Sequence, residues 1–327
     1  MNETNFTHFL YCPFTGLGLH QGFRGNKWLS HRIRIFKEYT LRSLMNQTAK
    51  GKFYVWHSWR PEEKENPIVQ DFIKFMSQIE GLDSIHTFGG IVFWDDKYTD
   101  ETAIKRMKES LRLSLPDLKN HVGDIPYVLF TIQPSDDCYI DTAVEDIQKK
   151  AGELINQGVE KAAIGYKKGY IMNYATKEIA EYLDKGWQVD EISAFTTDTI
   201  PPFYTILFPS EVFLDPEKHF NHAAHKSHEL IAEIMSYYDL DERGFCVGTH
   251  NNNISTTFNH RYKGRILTDG ERTMVLLKLG IYYSEPIILK RPVRIWMRYF
   301  LNRLPTKLRH QLLTFYYHKI YDEFFKS

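Results

Sequence analysis

The chain has 327 residues, 43% hydrophobic and 25% charged, which is typical of a globular protein with one large domain or one domain plus an extension. Its formal net charge is zero and no apolar run approaches ~18–20 residues, so we expect neither nucleic-acid binding nor a membrane-spanning helix. Cys12, Cys138 and Cys246 are scattered without a C-x-x-C motif, which argues against a zinc knuckle or disulfide framework and favours the reducing cytoplasm.

Strand and helix signals alternate through the first third of the chain. We predict strands over 6–12, 51–59 and 125–133, a β-like segment over 85–94, and helices over 27–48, 67–81 and 100–118. Such alternation predicts an α/β fold with a mostly parallel sheet flanked by helices. Sites in these sheets lie at the carboxyl ends of the strands.

The middle of the chain has a more mixed pattern. Residues 161–182 predict two short strands or a hairpin, and 195–239 contain four prolines, a histidine cluster and a helix from about Ser227. Residues 244–256 predict a short strand that leads into a polar loop.

The C-terminal segment is basic, aromatic and amphipathic. Residues 286–327 carry nine Lys or Arg against two acids, a net charge of +7 that leaves the rest of the chain at −7. Apolar residues recur at helical spacing over 291–304, and they continue at intervals of four from Leu308. We therefore predict two regions, a domain over 1–270 and a helical extension over 271–327. The extension either lies on an anionic membrane surface or packs on the acidic body.

Two acids follow the strand predicted over 125–133. Asp136 and Asp137 would repel each other, so a cation beside them would offset the cost, and a hard divalent ion suits oxygen ligands. The alternative is a solvated turn with an Asp that caps the next helix.

Two histidine segments are further candidates. His250 begins a polar run with three asparagines after a short strand, where it could complete a metal shell or bind a phosphate, or simply form a turn. His219, His222, His225 and His228 recur every three residues, but they lack the H-E-x-x-H pattern of a zinc site.

The glycine-rich loop over 14–25 contains G-x-G without the full dinucleotide-binding fingerprint. It could still present backbone N–H groups to a nucleotide, and Arg24 could meet a phosphate.

Several segments together resemble a known family. The opening "WLSHRIRIFKEYTLRSLMNQTAKGKFYVWHSW", the acidic turn at Asp136 and Asp137, the "GY" pair at Gly169 and Tyr170, and His250 with Asn253 occur in an order similar to that of the rhamnosyltransferase family. The resemblance covers roughly residues 8–260. Pro134 stands where the family's D-x-D-D pattern begins with an acid.

This resemblance implies a GT-A-like fold and transfer of a sugar, rhamnose by the family label, from a nucleoside diphosphate donor to a glycan or lipid-linked acceptor. It implies Mg²⁺ or Mn²⁺ at Asp136, Asp137 and His250. We assign donor binding to five residues: Thr15, Arg24, Arg60, Asp136 and Asn253.

Direct transfer also needs a base at the acceptor hydroxyl, and Asp198 and His228 are the candidates. The expected location is the cytoplasm, with peripheral contact at the inner face of the plasma membrane. Two alternatives remain open: a non-catalytic carbohydrate- or membrane-binding protein on the same scaffold, and a metal-dependent hydrolase built on the histidine cluster.

Overall fold

The computed structural model describes residues 5–15, 17–18, 26–49, 53–92, 100–182, 203–223, 231–250, 258, 263–287, 308 and 311–312. Within them, strands form a seven-stranded, a five-stranded and a two-stranded sheet. The strands are β1 (Phe6–Pro13), β2 (Leu17–Gly18), β3 (Tyr54–Ser58), β4 (Asp83–Thr87), β5 (Ile91–Val92), β6 (Tyr127–Ile132), β7 (Cys138–Tyr139), β8 (Ala162–Gly165), β9 (Lys168–Asn173), β10 (Ile179–Tyr182), β11 (Tyr204–Pro209), β12 (Tyr237–Asp239), β13 (Arg243–Thr249) and β14 (Lys263–Ile266).

Helices connect and cover these strands. They are α1 (Asn26–Ile35), α2 (Leu41–Met45), α3 (Pro67–Met76), α4 (Asp100–Val122), α5 (Ala143–Asn156), α6 (Ser210–Phe213), α7 (Pro216–Ala223), α8 (Ile231–Ile234) and α9 (Asp269–Lys278). A 3-10 turn spans Pro61–Glu63, and a π-helical turn, Phe36–Thr40, joins α1 to α2.

The seven-stranded sheet has the order β12-β8-β11-β6-β1-β3-β4. Strands β6, β1, β3 and β4 are mutually parallel, as are β12 and β8, while β11 runs antiparallel to both of its neighbours. The predicted α/β class with a mixed, mostly parallel sheet flanked by helices is therefore confirmed. This arrangement is consistent with the GT-A-like fold that the resemblance implies.

Alternate residues of β1 and β3 belong to two apolar clusters, one on each face of the sheet, because successive side chains of a strand point to opposite faces. On one face Phe9 and Trp56 pack with residues of α4, α6 and α8. On the other face Leu10 and Val55 pack with residues of α1, α2 and α3. Helices therefore cover both faces of the sheet, as burial of parallel strands requires.

The five-stranded sheet, in the order β14-β10-β9-β13-β7, is mostly antiparallel, with only β9 and β13 parallel. Strand β7 directly follows the acidic turn, and strand β13 ends directly before His250. The sheet packs against α5 and α9 through one apolar cluster, which includes Ile147 and Leu276. The second sheet therefore adjoins three residues that the sequence predicted as site residues: Asp136, Asp137 and His250.

Three local expectations differ from the structure. The helix predicted over 27–48 contains the π-helical turn, which buries Phe36, Tyr39 and Thr40 together. In the segment 161–182, β9 and β10 form an antiparallel hairpin, whereas β8 belongs to the other sheet. The buried strand β11 was not predicted, because its apolar run lies between prolines.

Little of the predicted C-terminal extension is described. Residues 308, 311 and 312 are helical, and the side chains of Leu308 and Leu312 are 45% and 38% exposed. The predicted boundary after residue 270 falls inside α9, and the division into two regions stays a prediction. Among the described residues, no helix combines the length and apolar character needed to span a bilayer.

Candidate functional site

The acidic turn lies at the point where the strand order of the large sheet reverses. From β1 the chain moves outward through β3 to β4, and it then returns to place β6 on the other side of β1. The backbone N–H of Gln133 donates to the carbonyl of Tyr11 at 2.7 Å, so the ends of β6 and β1 remain together. In open α/β sheets, ligands bind beyond the carboxyl ends of strands at such a switch point.

Arg32 of α1 reaches the acidic turn and binds it at three atoms. Its Nη1 and Nη2 atoms donate to the two carboxylate oxygens of Asp136 at 2.6 and 2.7 Å, and its Nε donates to Ser135 Oγ at 2.6 Å. The planar guanidinium matches a carboxylate in this two-bonded geometry. The cation that compensates Asp136 is thus a side chain of the protein.

Asp136 is held in its ionised form despite its burial. Burial alone would raise its pKa, but the Arg32 guanidinium and the hydrogen bond with His250 outweigh that effect and lower the pKa to about 2. His250 Nε2 lies 3.0 Å from Asp136 Oδ2. The sequence-based grouping of Asp136 with His250 therefore corresponds to a direct contact.

Asp137 has the opposite electrostatic character. Burial, and then the neighbouring Asp136 carboxylate, raise its pKa well above its usual value. One of its oxygens accepts a hydrogen bond from the backbone N–H of Gly248 at 2.8 Å. Two adjacent acids are therefore accommodated because one is paired with a cation and the raised pKa of the other makes it easier to protonate than an ordinary Asp.

Two stacked tyrosines fix the backbone of the acidic turn. Tyr174 donates from its hydroxyl to the carbonyl oxygen of Asp136 at 2.6 Å. Its ring lies on that of Tyr39 with centroids 3.6 Å apart. Tyr39, from the π-helical turn, donates in turn to the carbonyls of Tyr174 and Glu285. The turn is therefore clamped between the first helical region and the second sheet.

A second polar cluster follows β1 and β3 at the same edge of the sheet. The hydroxyl of Thr15 donates to the Oε2 atom of Glu63 and accepts from the backbone N–H of Arg60 at 3.2 Å. Glu63 is buried, and burial raises the pKa of its carboxyl group above the usual value. Among the described residues, nothing donates to its buried Oε1 atom. The Arg60 guanidinium itself pairs with Glu62 at 3.2 Å.

Four predicted site residues lie outside the described part of the chain: Arg24, Asp198, His228 and Asn253. His219, from the histidine cluster, is buried, and its Nδ1 atom lies 3.2 Å from the carbonyl oxygen of Phe213. Its ring stacks on Phe208 at 4.6 Å. This placement gives His219 a packing role in the core.

The acidic turn as arranged does not fit a divalent cation. Both oxygens of Asp136 are engaged by Arg32, and one oxygen of Asp137 accepts a hydrogen bond from the backbone N–H of Gly248. Within the described ranges, no group of three or more His, Cys, Asp or Glu side chains is placed to hold a metal ion. Hard cations require several ionised or carbonyl oxygens around one point. Use of Mg²⁺ or Mn²⁺ by this chain stays a prediction.

Four residues that the structure places in or against the candidate site were not identified as site residues from the sequence: Arg32, Glu63, Tyr174 and Gly248. Arg32 lies within the family-like opening segment, but nothing local distinguishes it from Arg34 or Arg42. Glu63 sits among Glu62 and Glu65. Only the tertiary contacts separate these residues from their neighbours.

No family model matches the chain, and no curated protein matches it either. Among solved structures, that of S. aureus TarS matches 97% of this chain with 12% identity and a TM-score of 0.31. The chain spans 53% of the TarS chain. A TM-score this low does not establish a shared fold.

Proposed function

We propose that this protein is a glycosyltransferase that moves a sugar from a nucleoside diphosphate donor to an acceptor hydroxyl. The observation that carries the proposal is the position of the acidic turn, with its buried arginine, at the switch point of a mostly parallel sheet. The family-like sequence segments support the same reading. Rhamnose as the sugar, and a glycan or lipid-linked acceptor, are suggested by that resemblance alone.

The chemistry makes two demands on such a site. Glycosyl transfer passes through an oxocarbenium-like transition state, so the departing diphosphate needs positive charge or hydrogen-bond donors. Arg32 is the described cation nearest to the acidic turn. The acceptor hydroxyl needs a base for direct attack, and Asp198 and His228 remain the proposed candidates.

The donor nucleoside is proposed to contact Thr15, Arg60 and Glu63. A buried oxygen without a hydrogen-bond donor is costly, by about 1–3 kcal/mol, and Glu63 Oε1 is such an atom among the described residues. A ribose hydroxyl or a nucleobase N–H would satisfy it. This pairing gives the second polar cluster a function beside the acidic turn.

Uridine, guanosine and thymidine diphosphates, each tested alone, are the probes for this proposal. We expect one of them to stabilise the protein by about 2.7 kcal/mol at 100 times its Kd. Glu63→Ala should weaken that Kd by roughly tenfold, since a lost hydrogen bond contributes about 1–1.5 kcal/mol. Thermal unfolding with increasing nucleotide measures both effects.

The matched control is Glu65→Ala, which removes a nearby but exposed carboxylate. It should bind the nucleotide as the unchanged protein does. Stabilisation by none of the nucleotides would overturn the proposal, and equal loss in both variants would remove Glu63 from the donor site.

A non-catalytic binding protein on the same scaffold is the second candidate. Arg32 engages both oxygens of Asp136, so Asp136 has no oxygen left to bind a metal ion that carries a diphosphate. This observation favours the non-catalytic candidate. Binding of a nucleotide sugar without hydrolysis or transfer across a donor and acceptor panel would support this candidate.

The basic C-terminal segment is proposed to contact an anionic membrane surface. Leu308 and Leu312, four positions apart on a helix and partly exposed, support an apolar face there. Replacing Arg291, Arg294 and Arg298 together with Gln should weaken binding to phosphatidylglycerol-containing vesicles on the order of 100-fold, at about 1 kcal/mol per charge. Vesicle co-sedimentation measures this change.

Lys64, Lys74 and Lys119 supply the control for that experiment, since all three are exposed on the body of the protein. Their triple replacement with Gln removes the same charge elsewhere and should leave vesicle binding nearly unchanged. If both triple variants lose binding equally, the attraction comes from overall charge and the C-terminal segment has no special role.

A further inference from the structure

The charge at the acidic turn is already balanced inside the protein. Arg32 donates three hydrogen bonds to Asp136 and Ser135, and its side chain is only 15% exposed. His250 lies against the same Asp136 oxygen that Arg32 Nη1 contacts. The carboxylate is therefore surrounded by hydrogen-bonding groups from α1 and from the end of β13.

A divalent cation would have to break this arrangement before it could bind Asp136. Removing one partner from a buried ion pair is strongly destabilising, because the other charge is left uncompensated. The neighbouring Asp137 offers little to offset that cost, since one of its oxygens already accepts from Gly248 N–H. The contacts of the turn therefore oppose metal binding.

We propose that the Arg32 guanidinium takes the place of a divalent cation at the acidic turn, so that a nucleoside diphosphate binds there without metal. This inference rests on the proposed function. A guanidinium carries five N–H donors, and the structure assigns Arg32 Nη2 one acceptor, Asp136 Oδ1, among the described residues. The remaining Nη2 N–H can donate to a phosphate oxygen, for which the planar guanidinium is well suited.

Mn²⁺ binding to the full chain without nucleotide is the direct test, because the electron paramagnetic resonance signal of free Mn²⁺ falls when the ion binds. We expect the unchanged protein and Asp136→Asn to leave the same amount of free Mn²⁺ across a titration. One Mn²⁺ per chain that binds the unchanged protein and is lost in Asp136→Asn would overturn the inference.

The second arm uses the nucleoside diphosphate that gives the largest thermal shift, measured in EDTA and again with Mn²⁺. We expect the shift in EDTA to be retained. Loss of the shift in EDTA with recovery in Mn²⁺ would overturn the inference. Absence of any shift in both conditions would overturn the proposed function. The Mn²⁺ titration contains no nucleotide, so its result tests the inference independently of the proposed function.

Arg32→Lys separates the guanidinium geometry from its charge. Lysine keeps the positive charge but cannot bind both Asp136 oxygens through a planar fork while donating to a phosphate. We expect roughly a tenfold weaker nucleotide affinity in EDTA with a folded protein, as judged by circular dichroism. Unchanged affinity in a folded Arg32→Lys variant would count against Arg32 as the group that meets the diphosphate.

Discussion

Replacing Arg32 with Met is expected to destabilise the protein by about 3–5 kcal/mol, since it leaves the buried Asp136 carboxylate without its cation. Methionine fills similar space, so the loss reflects the polar contacts of Arg32, which include its hydrogen bond to Ser135, more than its packing. Urea unfolding followed by circular dichroism measures the free energy of unfolding. The double variant Arg32→Met with Asp136→Asn should recover a large part of the loss, because it removes the uncompensated charge.

An exposed ion pair provides the control for this prediction. Arg112 pairs with Glu109 on the surface of α4, with its side chain 56% exposed. Arg112→Met should cost less than about 1 kcal/mol. Equal losses for Arg32→Met and Arg112→Met would contradict the importance of the buried pair.

The same ion pair has a defined dependence on pH. The pKa of Asp136 is lowered in the folded protein from 3.8 to about 2, so its stabilising effect is fully present above about pH 4. It is lost as the pH falls through 2. Asp137 acts in the opposite sense, because its raised pKa favours the folded state at low pH and that contribution declines as the pH rises.

Gly248→Ala should be among the most damaging single substitutions in the described part of the chain. A Cβ atom at this position would overlap the backbone oxygen of Asp136 and the ring of Tyr174. Neither group can move easily, because the Tyr174 ring is stacked on Tyr39 and its hydroxyl is hydrogen-bonded to the backbone oxygen of Asp136. We expect a loss of about 3 kcal/mol in the free energy of unfolding, together with loss of nucleotide binding.

Gly152→Ala in α5 is the matched control, because a Cβ atom there meets nothing within 4 Å. It should stabilise the protein by about 0.5–1 kcal/mol, since alanine favours the helix over glycine. Thermal unfolding of both variants makes the comparison. A Gly248→Ala protein as stable as the Gly152→Ala protein would mean that the acidic turn is free to shift.

The sequence predicted the fold through its clearest regularities. Helix periodicity, the alternation of strands and helices, and the apolar strand before Asp136 together predicted the parallel part of the large sheet. The sequence pattern did not predict β11, because its run from Tyr204 to Pro209 is short and lies between prolines. In the structure β11 is an interior strand of the large sheet, paired with β6 on one side and β8 on the other. Burial by distant strands leaves no periodic signal.

The candidate site was only partly predictable for a similar reason. Asp136, Asp137 and His250 were identified because polar residues after apolar strands mark the carboxyl edge of a sheet. Arg32 was missed because its partner Asp136 lies 104 positions away, and its helix contains other basic residues. Which basic residue of a helix faces an acid depends on the packing of that helix, which no local pattern encodes.

The position of β11 has a consequence for the order in which the chain can assemble during synthesis. Strands β4, β3, β1 and β6 are complete, and Arg32 can already bind Asp136, while the far edge of β6 awaits a strand from the second half of the chain. His250, 114 positions after Asp136, arrives later still. The nascent chain therefore contains both Arg32 and Asp136 before β11, the strand that pairs with the far edge of β6, has been synthesised. Pairing with Arg32 at that stage would offset the cost of burying the Asp136 carboxylate before β13 is available.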